Sequence, residues 1–215
     1  MRFDLQVIAS WIRPGSRVLD LGCGKGDLLK YLEDHKQVRA TGIEYDESKV
    51  TKALARGLAV LQGDINQELQ DYADLAFDYV ILSQTLQQVY NPAPLLSEML
   101  RIASQGIVSF PNFAHWRCRS QLFFEGYAPR TKELPYEWHD TPNIRVITLK
   151  DFRRFCRQFG FDILEEAAIK TDYREETGQI ISHLSGLRAK YGVFLLGCKT
   201  HRPEQKSSLD SPSSI

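Results

Sequence analysis

Short apolar runs separated by longer amphipathic stretches set the rhythm of the first 110 residues. Strand-length runs occupy 17–21, 38–43, 58–61, 77–82 and 106–110. Between most of them the apolar positions recur at helical spacing, over about 26–35, 47–56 and 92–103. Residues 3–12 carry a further helical pattern, with Phe3, Val7, Ile8 and Trp11 or Ile12 on one face. Arg13-Pro14-Gly15-Ser16 then reads as a turn into the first strand. Pro92 falls near the start of its helix, where a missing N–H leaves no hydrogen bond unmade. Strands alternating with helices predict parallel strands joined by right-handed crossovers, an α/β doubly wound sheet.

The rhythm breaks after Phe110. Residues 111–147 are rich in aromatics, arginine and proline, too long and too apolar for a plain connector. Such an insertion is expected to act as a lid, a substrate-facing element or a partner surface. Regular pattern resumes with a helix over 148–159, closed by Gly160, and strands at 161–169 and 191–198. Residues 170–188 are polar and carry no assignable period. One domain over 1–199 is expected, followed by a serine- and proline-rich tail at 200–215 with the composition of disorder.

Composition narrows the function classes. Lys plus Arg equals Asp plus Glu at 27 each, so no global basic footprint favours nucleic acid or an anionic membrane. No apolar run reaches membrane-spanning length. The start of the chain lacks a long apolar core with a cleavage site, so a cytoplasmic location is expected. Cys23, Cys118, Cys156 and Cys198 have no zinc-knuckle or redox spacing and read as four reduced thiols. The five histidines are equally scattered, and no metal site is predicted.

Candidate chemistry begins where the first strand, Val18-Leu19-Asp20-Leu21, runs into Gly22, Gly24 and Gly26. Glycines at such a strand–helix turn remove side-chain bulk, and the following helix offers free N–H groups to an anionic ligand group. Twenty residues beyond Gly24, the second strand ends in Glu44, an acid placed to accept from vicinal ribose hydroxyls. A dinucleotide site prefers GxGxxG, whereas here the spacing is GxGxG after Asp20, which disfavours a nicotinamide-dependent oxidoreductase. This pattern resembles motif I of class I S-adenosylmethionine-dependent methyltransferases. Gly63-Asp64 resembles the adenine-contacting acid of that superfamily, Phe77 to Ser83 its fourth strand, and Tyr191 to Cys198 its antiparallel seventh. The resemblance implies a mostly parallel seven-stranded Rossmann-like sheet with an antiparallel strand. It implies cofactor contacts from Asp20, Gly22, Cys23, Gly24, Gly26, Glu44, Tyr45, Asp64, Ile65 and Ser83. Simpler roles stay open: Asp20 can cap the loop, Asp64 can cap a short helix, and Glu44 can be an exposed strand-end charge.

Catalytic candidates are sparser. His115 and His139 lie in the insertion and are the available general bases, each equally readable as a loop residue. The Asn/Asp-Pro-Pro-Tyr box of amino-methyltransferases and the Pro-Cys pair of cytosine-C5 enzymes are both missing. The least generic segment is Phe110-Pro-Asn-Phe-Ala-His-Trp-Arg-Cys-Arg119, where Phe113, His115, Trp116, Arg117 and Arg119 read as a partner or substrate surface. That block, the start from Met1 to Gly26, Leu134-Pro-Tyr-Glu-Trp138 and Thr141-Pro-Asn-Ile144 together resemble the bacterial methionine biosynthesis protein MetW family over roughly residues 1–198. The resemblance implies a methyltransferase-like domain that acts with a homoserine O-acyltransferase, MetX, to support homoserine acylation. The acyl-transfer nucleophile would then belong to MetX, in keeping with the absence of a G-x-S-x-G elbow here. The alternative is a small-molecule methyltransferase in its own right.

Overall fold

The computed structural model describes residues 1–132, 134–172 and 175–197. Cys198 and the tail at 200–215 lie outside them. Helix α1 (Phe3–Trp11) precedes β1 (Arg17–Leu21), α2 (Asp27–Lys36), β2 (Arg39–Glu44), α3 (Glu47–Leu54) and β3 (Val60–Gln62). A short α4 (Ile65–Glu68) leads to β4 (Phe77–Ser83), α5 (Pro92–Ile102) and β5 (Ala103–Pro111). Then come α6 (Trp116–Ser120), α7 (Leu149–Phe159), β6 (Asp162–Thr171), β7 (Gly178–Ile180), α8 (Ser185–Arg188) and β8 (Tyr191–Gly197).

The eight strands form one sheet in the order β3-β2-β1-β4-β5-β8-β6-β7. Strands β1 to β5 pair in parallel, and β8 lies antiparallel between β5 and β6. The seven strands expected from the pattern are joined by β7, three residues long, paired only with β6 inside the segment that had no assignable period. So short an edge strand has no alternation to read. It is set by its ladder and by Gly178, whose missing Cβ makes room for the Phe3 ring.

Alternation along the central strands divides the core into two layers. Leu19, Leu21, Val80 and Leu82 pack with α5 and α7 on one face. Val18, Tyr79 and Ile81 pack with α1 and α2 on the other. Strand β8 is buried along its whole length, as a strand covered on both faces must be. Helix α1 buries more than one stripe: Leu5, Val7, Ile8 and Ala9 are covered, and so is Asp4. No basic residue stands in its last turn, and Lys36 of α2 supplies the charge instead. The Lys36 ammonium donates to the carbonyls of Ile12, at 2.6 Å, and Ala9.

Strand order reverses between β1 and β4: the chain runs outward from β1 through β2 to β3, then returns to lay β4 and β5 on the other side. In the register, Asp20 lies opposite Gly42 and Ile81. The crevice at the carboxyl ends of these strands is where an open α/β sheet receives a ligand.

Candidate functional site

A cavity of about 910 Å³ opens at that crevice. Of the ten predicted cofactor contacts, nine line it: Asp20, Gly22, Cys23, Gly24, Glu44, Tyr45, Asp64, Ile65 and Ser83. Gly26 does not. It is buried at the start of α2 with φ +75°, and a Cβ there would stand 2.2 Å from the Leu58 side chain. Gly26 is thus required by packing between α2 and the approach to β3. At Gly24, with φ +61°, a Cβ would meet nothing within 4 Å, because that side faces the open crevice.

Glu44 is buried, at 7% exposure, so it is no surface strand-end charge. One carboxylate oxygen accepts from the Gly24 N–H at 2.8 Å and the other from the Asp46 N–H at 3.0 Å. The Glu44 side chain therefore clamps the glycine loop to the start of α3. A carboxylate offers about four acceptor positions, so two remain for a ligand. Gly22 and Cys23 add two more ties, both donating to the Ile43 carbonyl. Asp64 caps α4: its Oδ1 accepts from the backbone and the side-chain amide of Asn66, at 2.9 and 2.8 Å. It also faces the cavity, so the cap and the lining are filled by the same residue.

Asp20 is only 3% exposed, and its Oδ1 is a buried oxygen with no hydrogen-bond partner among the described residues. Burial, reinforced by Glu44 and partly offset by Arg2, pushes its carboxyl up to about 7 from the ordinary 3.8. Burial and the same two acids push the Cys23 thiol well above its ordinary 9.0. Cys23 is therefore a neutral wall of the cavity and a poor nucleophile.

Several lining residues escaped the sequence reading. Arg2 reaches the cavity from the residue before α1. It is held by the buried carboxylate of Asp4 through two hydrogen bonds of 3.2 Å and by Gln84 at 3.3 Å. Gln84 also donates to Asp4 at 2.9 Å. Lys49, Thr85 and Tyr136 complete different walls. One signal for the Arg2 cluster was the acid Asp4 beside the apolar positions of α1. Tyr136 belongs to the insertion expected to face a substrate or partner, whereas Lys49 carried no signal, since α3 reaches the crevice only in three dimensions.

The insertion corrects two expectations. His115 is buried at 8% exposure and its Nδ1 accepts from the Arg117 N–H, so it caps α6 and belongs neither to an exposed surface nor to the cavity lining. His139 is exposed and likewise outside the lining. Neither is placed as a general base for a reaction in this cavity. Phe113 is half-buried, whereas Trp116, Arg117 and Arg119 are exposed, with the Arg117 guanidinium 5.5 Å from the Trp116 ring centre. Asn112 carries the insertion. Its side chain donates to the Gly186 and Ala189 carbonyls at 3.0 and 2.8 Å and accepts from Ala114.

Cys23 and Cys156 are buried free thiols, and Cys118 is buried as well. Among the described residues no group of three or more His, Cys, Asp or Glu is placed to hold a metal ion. No helix among them is long and apolar enough to cross a membrane.

The sheet order, the glycine turn on β1 and the acid ending β2 define a class I methyltransferase-like Rossmann fold. Solved structures bear this out. A methyltransferase from Thermotoga maritima, described as a possible histamine N-methyltransferase, superposes with a TM-score of 0.66 at 19% identity, covering 91% of this chain and 87% of that one. The [4+2]-cyclase SpnF superposes with a TM-score of 0.62 at 18% identity, over 90% of this chain and 80% of its own. Within that fold the chain belongs to the methionine biosynthesis protein MetW family, which it matches over residues 2–196. A bifunctional MetXA/MetW protein of Rhodopirellula baltica is 38% identical over 175 residues, 77% of this chain. The match spans 28% of that relative's length.

Proposed function

We propose that this chain binds S-adenosylmethionine, or S-adenosylhomocysteine, in the crevice and acts with a homoserine O-acyltransferase, MetX, to support homoserine acylation in methionine synthesis. The observation that carries the partnership is the relative in which MetXA and MetW are named as parts of one polypeptide. Two proteins fused in one chain are held at high effective concentration, which a separate pair must replace with an interface.

The insertion offers such an interface. Phe123, Phe124 and Trp138 are each about four-fifths exposed, and the same insertion carries half-exposed Trp116 and the exposed Arg117 and Arg119. Exposed aromatic and arginine side chains are the usual anchors of protein contacts. The residues lining the crevice fit the cofactor. In this reading Glu44 accepts from the ribose hydroxyls, Asp64 accepts from the adenine amine, and Tyr45 and Ile65 supply apolar wall; the support is that all four line the crevice and that a Cβ at Gly24 would meet nothing within 4 Å. Copurification and acyltransferase assays with and without this chain test the partnership. Binding and a higher acylation rate are expected; no binding and no rate change would refute it.

A second reading is small-molecule methyl transfer, favoured by the size of the crevice, near the upper end of the roughly 300–1,000 Å³ of ligand pockets. Beside Ser83 its wall is formed by Gln84, Thr85, Gln88, Tyr90 and Tyr136, without a histidine. Methyl transfer can proceed by proximity and alignment alone. Incubation with labelled S-adenosylmethionine and a metabolite extract separates the readings: label in a small product supports transfer, and its absence alongside measured binding supports a binding role.

A further inference from the structure

Between β4 and α5 the chain passes through a stretch that is engaged on two sides. Gln84, Thr85, Gln88, Val89 and Tyr90 line the crevice. The backbone of the same stretch is held by the far end of the insertion. The Gln87 carbonyl accepts from the Ile144 and Arg145 N–H groups at 2.9 and 3.0 Å. The Arg145 guanidinium donates to the Val89 carbonyl at 3.4 Å and also to the Tyr90 carbonyl. Two consecutive residues of the insertion thus clasp the carbonyls of Gln87, Val89 and Tyr90. We propose that this clasp couples the crevice to the insertion: a ligand packed against Val89 and Tyr90 steadies the carbonyls held by Ile144 and Arg145, and so strengthens docking of a partner on the insertion. This rests on both parts of the reading above, a cofactor in the crevice and an acyltransferase on the insertion, and adds the link between them.

Geometry sets the sign. A residue's side chain and its carbonyl share the same two soft backbone dihedrals. Val89 and Tyr90 therefore cannot be immobilised on the crevice side while their carbonyls move freely on the other. The clasp also sits at the base of the insertion. The Ile147 carbonyl accepts from the Phe113 N–H at 3.1 Å, which ties the exit of the insertion to its entry just before α6. A ligand that orders this base spares the partner the entropic cost of ordering it, which is positive coupling, and linkage makes the effect reciprocal.

The stretch is built to open locally. Gln84 begins it with a left-handed backbone at φ +52°, a conformation costly for a residue with a Cβ. Gln87 is 5% exposed and its side-chain amide donates to the Gln84 carbonyl at 2.8 Å. Its Oε1 is buried without a donor among the described residues, a second cost of the closed form. Beside Leu86 a groove of about 170 Å³, lined by Pro92, Arg145, Ile147 and Phe155, leaves the side away from the crevice incompletely filled. Such costs lower the free energy of opening, and a ligand then shifts the balance by its preference for the closed form.

Hydrogen exchange on the full chain, with and without saturating S-adenosylhomocysteine, reads the clasp through the Ile144 and Arg145 amides. Ligand is expected to slow both by about fivefold or more. Arg145 lines the groove and not the crevice, so Arg145→Met should hold S-adenosylhomocysteine affinity within about twofold of wild type and lose the slowing at Ile144. Arg145→Lys, which can reach one carbonyl, should keep part of it and carries the test if melting curves show that Arg145→Met fails to fold. Wild-type affinity for the homoserine O-acyltransferase of the same organism should rise by about fivefold or more with S-adenosylhomocysteine, and that of Arg145→Met by less than about twofold. Equal slowing in wild type and Arg145→Met would move the link to Tyr136, the insertion side chain that lines the crevice, and overturn the clasp. No slowing in wild type, or acyltransferase affinity indifferent to ligand, would overturn it as well. A wild type that binds no S-adenosylhomocysteine removes the cofactor reading, and one that binds no acyltransferase removes the partnership. The coupling falls with either, whereas both binding without coupling leaves those readings standing and refutes the clasp alone.

Discussion

Replacing Asp20 by asparagine removes a charge that the folded protein disfavours. The carboxyl rises from 3.8 to about 7 on folding, chiefly through burial and secondarily through Glu44. For a group whose folded value is raised, the stabilising contribution is complete below the unfolded value and is lost as pH climbs through the folded one. Wild type should therefore lose stability from about pH 4 to about pH 7, relative to a variant whose residue 20 does not titrate. A displacement from 3.8 to about 7 corresponds to roughly 4 kcal/mol in total. Of this, about 2–3 kcal/mol falls between pH 5 and pH 8. In a domain of this size that is a change of roughly 5–10 °C in melting temperature. Urea melts of wild type and Asp20→Asn at pH 5 and pH 8 measure it. Any fixed penalty of the amide, such as an unsatisfied N–H, cancels when the two pH values are compared. The expected result is an advantage of Asp20→Asn that grows with pH. A difference that stays the same at both values would show that Asp20 is not held in a site that resists its charge.

Glu44→Gln places an amide N–H₂ opposite either the Gly24 or the Asp46 N–H, so it should lower both stability and ligand affinity, the former by about 1–3 kcal/mol. Calorimetry with S-adenosylmethionine and a urea melt check this, and unchanged affinity would remove Glu44 from the site. Gly26→Ala meets both the +75° φ and the Leu58 side chain, and should destabilise the fold by about 1–3 kcal/mol by the same melt; an unchanged midpoint would contradict the packing role. Asn112→Ala leaves the Gly186 and Ala189 carbonyls without their donor and should cost about 1–3 kcal/mol, with faster proteolysis of the insertion. Native protein treated with iodoacetamide at pH 8 should keep Cys23 and Cys156 unmodified in peptide mass maps, because burial raises both thiols, Cys156 up to about 12; rapid labelling of Cys23 would refute its neutral state.

The parallel core and the crevice were legible because they depend on local rules. Alternation places Leu19 and Leu21 opposite Val18 and Asp20, and the glycine turn needs φ values that only glycine adopts freely. Glu44 and Asp64 were legible as strand-end acids at set distances from that turn. Their hydrogen bonds were not, since Asp64 caps its own helix while Glu44 reaches across to Gly24.

The sequence by itself thus determined the doubly wound sheet, the position of the crevice and, through its longer motifs, the family. Tertiary structure decided what each polar group does there. It withdrew Gly26 from the lining because Leu58 packs against it, and it turned His115 from a surface residue into a helix cap. It brought Arg2 to Gln84, which lies 82 positions away in the chain, and left the Asp20 Oδ1 buried without a donor among the described residues. Periodicity reports which face of an element is apolar. Charge pairing, burial and shared cavities depend on which elements meet, and that is set only when the sheet closes its strand order and the helices pack across it.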